Sequence, residues 1–145
     1  MKKGTKELAT SEELETFEHF LFEMDDVLEA FLSEASAAGF HLDCSLDSVD
    51  ALEKYVVSQP DGGKNSRLQN RAARYLGEVF RKSVGGKWEL CLKDPKYIYF
   101  KLPVLTGYSD KPIEFCPIEV LGNFIVKREP GLLRRAIESH LEFKR

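Results

Sequence analysis

The chain has 145 residues, 43% of them hydrophobic and 31% charged, with a formal net charge of -3. That length is enough to bury a core without a metal or a disulfide, and no apolar run approaches the ~20 residues that cross a bilayer. The charge is split along the chain: residues 1–61 carry 15 acidic and 4 basic side chains, whereas residues 62–145 carry 9 and 17. Such segregation suits either two halves that pack on each other or a surface made for a charged partner.

Residues 1–9 read as a flexible N-terminus and residues 10–145 as a single α+β domain. The opening MKKGTKELATSEELE turns acidic without an apolar core, so it does not read as a signal peptide, and the expected location is the cytoplasm. A long helix is predicted from Ser11 to Ala38, opened by a Thr10/Glu13 capping box and stopped by Gly39. Leu14, Phe17, Leu21, Met24, Leu28, Phe31, Ala35 and Ala38 form one apolar stripe at alternating spacings of three and four. Phe20, Val27 and Leu32 widen that stripe toward a globular core rather than a coiled-coil seam. The opposite face is acidic, and Phe22 falls among its carboxylates.

A second helix is predicted over Leu46 to Ser58, with Ser45 or Asp47 as cap and Leu46, Val49, Leu52, Tyr55 and Val56 inward. Gln59 to Asn65 has the composition of an exposed, mobile loop. A third helix runs from Arg67 to Ser83 behind a Ser66/Gln69 capping box, with Leu68, Ala72, Tyr75, Leu76, Val79 and Phe80 inward. From Gly85-Gly86 the period becomes extended. KWELCLKD, YIYFKLPVL and PIEF are read as three antiparallel strands, with Trp88, Leu90 and Leu92 on the apolar face of the first and the aromatic Tyr97–Phe100 stretch central. Two closing helices are expected, Pro117 to Lys127 and Pro130 to Phe143, the latter with Leu133, Ala136, Ile137, His140 and Leu141 inward. The expected fold is therefore α+β: a long amphipathic helix and further helices on a small antiparallel sheet of three or so strands.

No pattern of residues carries a catalytic or metal signature. Cys44, Cys91 and Cys116 are odd in number, widely spaced and set in apolar sequence, as reduced, buried thiols are. His19, His41 and His140 are scattered, and no cofactor is expected. On the third helix Arg67, Arg71, Arg74, Arg81 and Lys82 recur at helical spacings, a pattern that can grip phosphates. An acidic chain with a pI near 5.7 argues against nucleic acid, and a solvated face or one paired with the acidic half is the plainer reading.

Tyr75-Leu76-Gly77-Glu78, the Gly85-Gly86 turn, the Trp88 strand and the later CPIEVLGNFIVKR helix resemble a group of small bacterial domains, over roughly residues 45 to 135. The resemblance implies a bacterial accessory protein, and some similar domains are immunity proteins that neutralise toxins. It carries no assigned site residues. Two functions follow as expectations. The first is a non-catalytic protein-binding domain, a monomer or homodimer, whose Phe22, Asp25, Asp26 and Glu29 meet a partner such as a basic toxin. The second is a small-molecule or enzymatic site between the third helix and the sheet, rimmed by Arg71, Arg74, Tyr75, Glu78 and Trp88.

Overall fold

The computed structural model describes residues 9–92 and 95–145. Six helices and a two-stranded antiparallel sheet follow in the order α1 (Ser11–Phe22), α2 (Met24–Ala37), α3 (Ser48–Ser58), α4 (Ser66–Ser83), β1 (Lys87–Leu90), β2 (Pro103–Thr106), α5 (Pro117–Lys127) and α6 (Leu132–Glu138), and a 3-10 turn over Leu141–Phe143 closes the chain. The class is α+β as expected. Ala9 is buried, and residues 1–8, the rest of the expected flexible N-terminus, lie outside the described residues.

α4 is the hub. It packs on α2, α3, α5 and β2, and Ala72, Ala73, Arg74, Tyr75, Leu76, Gly77, Val79 and Phe80 are all buried along it. Phe80 stacks on Phe115 with centroids 4.2 Å apart, which ties the helix to the segment after the sheet. Gly77 allows the closest approach, because a Cβ there would run into the Trp88 ring. Asn65, rather than the expected Ser66/Gln69 pair, caps α4: its Oδ1 accepts the Leu68 amide at 3.0 Å, and the Gln69 amide nitrogen donates to the Gly63 carbonyl. The preceding loop is tied down rather than loose. Gly63 is buried, and Arg128 Nη2 donates to the Gly62 carbonyl at 2.9 Å.

The expected long N-terminal helix is broken at Glu23. The Thr10/Glu13 capping box is present, with bonds of 2.8 and 3.0 Å. One turn from the break, Arg74 Nη1 donates to the Phe20 carbonyl at 2.7 Å. An unbroken helix would pair that carbonyl with the Met24 amide. The consequence is a changed face. α1 has no buried residue and turns Phe17 and Phe20 inward while Leu14 and Leu21 are exposed, whereas α2 buries Met24, Phe31 and Ala35 as the stripe predicts.

Among the described residues the sheet has two strands, not three. β1 and β2 pair in the register Lys87↔Thr106 to Leu90↔Pro103. The third segment is reduced to one bridge, in which Leu105 and Phe115 exchange bonds of 2.8 and 3.0 Å. Pro112 and Pro117 bracket it, and proline cannot donate to a ladder. The Tyr97–Phe100 stretch is a series of turns rather than a central strand. Phe100 donates to the Tyr97 carbonyl, Leu102 donates to that of Tyr99, and Lys101 adopts a left-handed φ of 68° that ends any extended run. Lys93 and Asp94, the end of the first expected strand, lie outside the described residues. Cys91, expected as a buried thiol, is buried against Val104 and Cys116.

The last helix is shorter than the pattern suggests. It starts after Gly131, whose φ of 89° lies in the left-handed region, and it gives way at Ser139 and His140, so that Leu141 is exposed. Its N-terminus is capped from outside. Glu53 on α3 accepts the Gly131 and Leu133 amides, each at 2.9 Å, which places a carboxylate where the helix dipole favours it.

Candidate functional site

Phe22 stands at the break at Glu23. A phenylalanine at the last position of α1 has no neighbouring helix to lie on, and it is 85% exposed. The His19 ring stacks beside it at 6.4 Å, and His19 Nε2 lies 3.4 Å from a Glu23 oxygen. Beyond the break come Asp25, Asp26 and Glu29, at three, four and seven residues from Phe22. All three are exposed, because Met24, Phe31 and Ala35 take the opposite side of α2 into the core. Asp25 and Asp26 also occupy the first turn of α2, where negative charge favours the helix. On the other side of Phe22, Glu12, Glu15 and Glu18 extend the ridge along α1.

Several acids of the N-terminal half are paired with the basic half. Glu34 meets Arg71 at 2.8 Å, Glu13 meets Lys101 at 3.0 Å, and Arg134 reaches Asp47 at 2.7 Å and Asp50 at 3.2 Å. The two halves therefore touch through specific pairs. Asp25, Asp26 and Glu29 form no ion pair with another described residue. What remains for the solvent is a carboxylate ridge with an aromatic ring in its middle.

Of the second group of residues, the structure joins Glu78 to Trp88 and sends Arg71, Arg74 and Tyr75 to other partners. Arg71 pairs with Glu34 at the surface. Arg74 is 5% exposed, and its guanidinium lies 4.1 Å from the Phe20 ring centroid while bonding Asn70 Oδ1 and the Phe20 carbonyl. The Tyr75 hydroxyl points toward the start of α3, where it meets Ser48 Oγ at 2.6 Å and accepts the Cys44 amide at 2.8 Å. Cys44 has a left-handed φ of 66°, so this bond holds a turn that a side chain other than glycine adopts at a cost. Burial pushes the Tyr75 pKa up to about 12, so the hydroxyl keeps its proton. Glu78 accepts from Trp88 Nε1 at 2.8 Å and from Arg81 at 3.1 Å. Between α4 and β1 the Trp88 ring rests on Gly77 and the Phe20 ring meets its edge at 5.2 Å.

Cys44, Cys91 and Cys116 form no disulfide, and burial pushes the Cys116 thiol up to about 11, away from the thiolate a nucleophile needs. Among the described residues no three His, Cys, Asp or Glu side chains converge as a metal-binding group, and no helix is long and apolar enough to cross a membrane. No family model, curated protein or solved structure matches the chain. The sequence missed two groups, the buried Arg74 clamp and the Glu53 cap. Both act on partners more than 50 residues away, which no local period encodes.

Proposed function

We propose that this protein works by binding rather than by catalysis, and that the α1–α2 ridge takes up a basic protein. The observation that carries the reading is Phe22, 85% exposed between carboxylates that no described cation neutralises. An aromatic anchor ringed by charge is the arrangement in which desolvation at the centre supplies affinity and the charges supply orientation and association rate. A bacterial cytoplasmic immunity protein is the concrete form of the idea, with the ridge covering the cationic active surface of a toxin such as a nuclease.

The test is an affinity capture from native lysate with wild type, Phe22→Ala and the Asp25→Lys/Asp26→Lys/Glu29→Lys variant, followed by titration with the captured protein. One stoichiometric basic partner is expected. It should weaken at ~0.5 M salt, where screening acts over only a few ångströms. Phe22→Ala should raise Kd about tenfold or more, as loss of a central aromatic anchor does. A partner held equally by both variants, with circular dichroism showing them folded, removes the ridge from the function.

A further inference from the structure

A cavity of about 390 Å³ opens between the end of α2, the end of α3 and the start of α4, at the opposite end of α2 from Phe22. Its charged lining is balanced: Arg67 and Arg71 against Glu34 and Asp61. Arg71 uses one nitrogen on Glu34, and Asp61 Oδ1 accepts the Gly63 amide at 3.0 Å. Arg67 is exposed and pairs with no described residue. Asn65 takes the Leu68 amide, and the first turn of α4 adds the Ser66 and Arg67 amides, which have no acceptor inside the helix.

Tyr55 is the feature that points to a ligand. Its ring is fixed against Phe31 and Phe40, at 5.6 and 5.4 Å, and the residue is 5% exposed. No described group shares a hydrogen bond with its hydroxyl. The hydroxyl is not sealed in either, because no fully enclosed side-chain oxygen or nitrogen lacks a partner among the described residues. It therefore opens into the cavity that Tyr55 lines, where the charges of Glu34 and Arg71 act on it. It is thus a donor and acceptor that no described side chain uses, held at the cavity wall by a rigidly packed ring.

We infer that this cavity is a binding site for a small zwitterion of the amino-acid class, with a carboxylate directed to Arg67 and the α4 amides and an ammonium directed to Glu34 and Asp61. A lining that sums to no net charge does not draw a simple ion of either sign. A dipolar ligand satisfies both signs without leaving one charge buried and unpaired. The volume lies at the lower end of small-molecule sites, with room for a single amino acid.

The test is a set of NMR titrations of the 15N-labelled full chain with each standard amino acid, and with acetate and inorganic phosphate as charge controls, in the millimolar range. One or a few amino acids should give saturable shifts centred on Tyr55 and Arg67 to Arg71, with acetate and phosphate failing to saturate. Arg67→Ala should weaken that binding about tenfold or more, as loss of a charge-assisted bond does. Tyr55→Phe should weaken it several-fold while leaving the urea midpoint of the free protein unchanged, since its hydroxyl has no protein partner to lose. Equal saturation by acetate or phosphate overturns the zwitterion assignment in favour of an oxyanion site. No saturable shift with any amino acid, or binding indifferent to both substitutions, overturns the site itself.

Discussion

Two tyrosines show how far a single residue can be read. Tyr55 and Tyr75 both lie on the apolar faces of their helices, and spacing alone places both rings in the core. What each hydroxyl does depends on chain that is distant in sequence. Tyr75 reaches Ser48 and the Cys44 amide, 27 and 31 residues away, and so ties α4 to the turn before α3. Tyr75→Phe leaves that amide to be satisfied elsewhere, while Ser48 keeps its bond to the Ser45 carbonyl, and for a buried donor the loss costs about 1–3 kcal/mol. Urea unfolding should show a loss of that size. A midpoint equal to wild type would mean that water or a rearranged Ser48 replaces the phenol without cost. Gly77 was more legible, because a glycine inside a strongly amphipathic helix already signals a close approach, and the Trp88 ring is what approaches.

At the scale of elements, periodicity predicted α3, α4, α5 and the buried face of α2, and failed where one side chain overrides a pattern. The stripe from Leu14 to Ala35 is continuous in sequence, yet Arg74 takes the Phe20 carbonyl and the helix breaks three residues later. Similarly, the aromatic Tyr97–Phe100 run has strand composition, but turn bonds within it and the left-handed Lys101 prevent an extended chain. The break leaves α1 held by few contacts. Among them are the Arg74 clamp on Phe20, the edge contact of Phe20 with Trp88, and the Glu13–Lys101 pair, the last at the surface and worth ~1 kcal/mol or less. With no buried residue of its own, α1 should open locally at a lower free energy than α4. Amide hydrogen exchange is expected to show the amides of residues 14–22 exchanging faster than those of α4. Arg74→Met should accelerate them further than its effect on global stability accounts for. Exchange of α1 at the rate of α4, in wild type and variant alike, would mean that α1 unfolds only with the whole protein.

For the whole molecule, the charge split proves to be partly internal and partly external. Glu34, Asp47 and Asp50 meet arginines of the basic half, while the α1–α2 ridge stays open, a division that residue order alone does not reveal. The C-terminal closure is where stability becomes sensitive to pH. His140 sits among Phe80, Tyr108 and Phe115, all with ring centroids between 5.5 and 5.6 Å away, and its Nδ1 meets the Tyr108 hydroxyl at 2.8 Å. Burial there pulls its pKa below the ordinary value of 6.5, so the folded protein holds the neutral ring. The unfolded chain takes up a proton near the ordinary value, and the folded chain does so only at lower pH. Stability from this group is therefore complete above about pH 6.5 and falls as the pH drops below that toward the lowered value, by at most about 1.4 kcal/mol per unit for one proton. Exposed Glu13 and Asp43, whose pKa values are lowered by hydrogen bonds to Thr10 and Ser45, act in a separate window below the ordinary carboxylate range. Urea midpoints at pH 7.5 and 5.5 should thus fall for wild type and fall less for His140→Gln, whose side chain takes no proton. Parallel losses in the two proteins would place the pH sensitivity outside the His140 cage, and a wild-type midpoint that rose on acidification would reverse the sign derived from its burial.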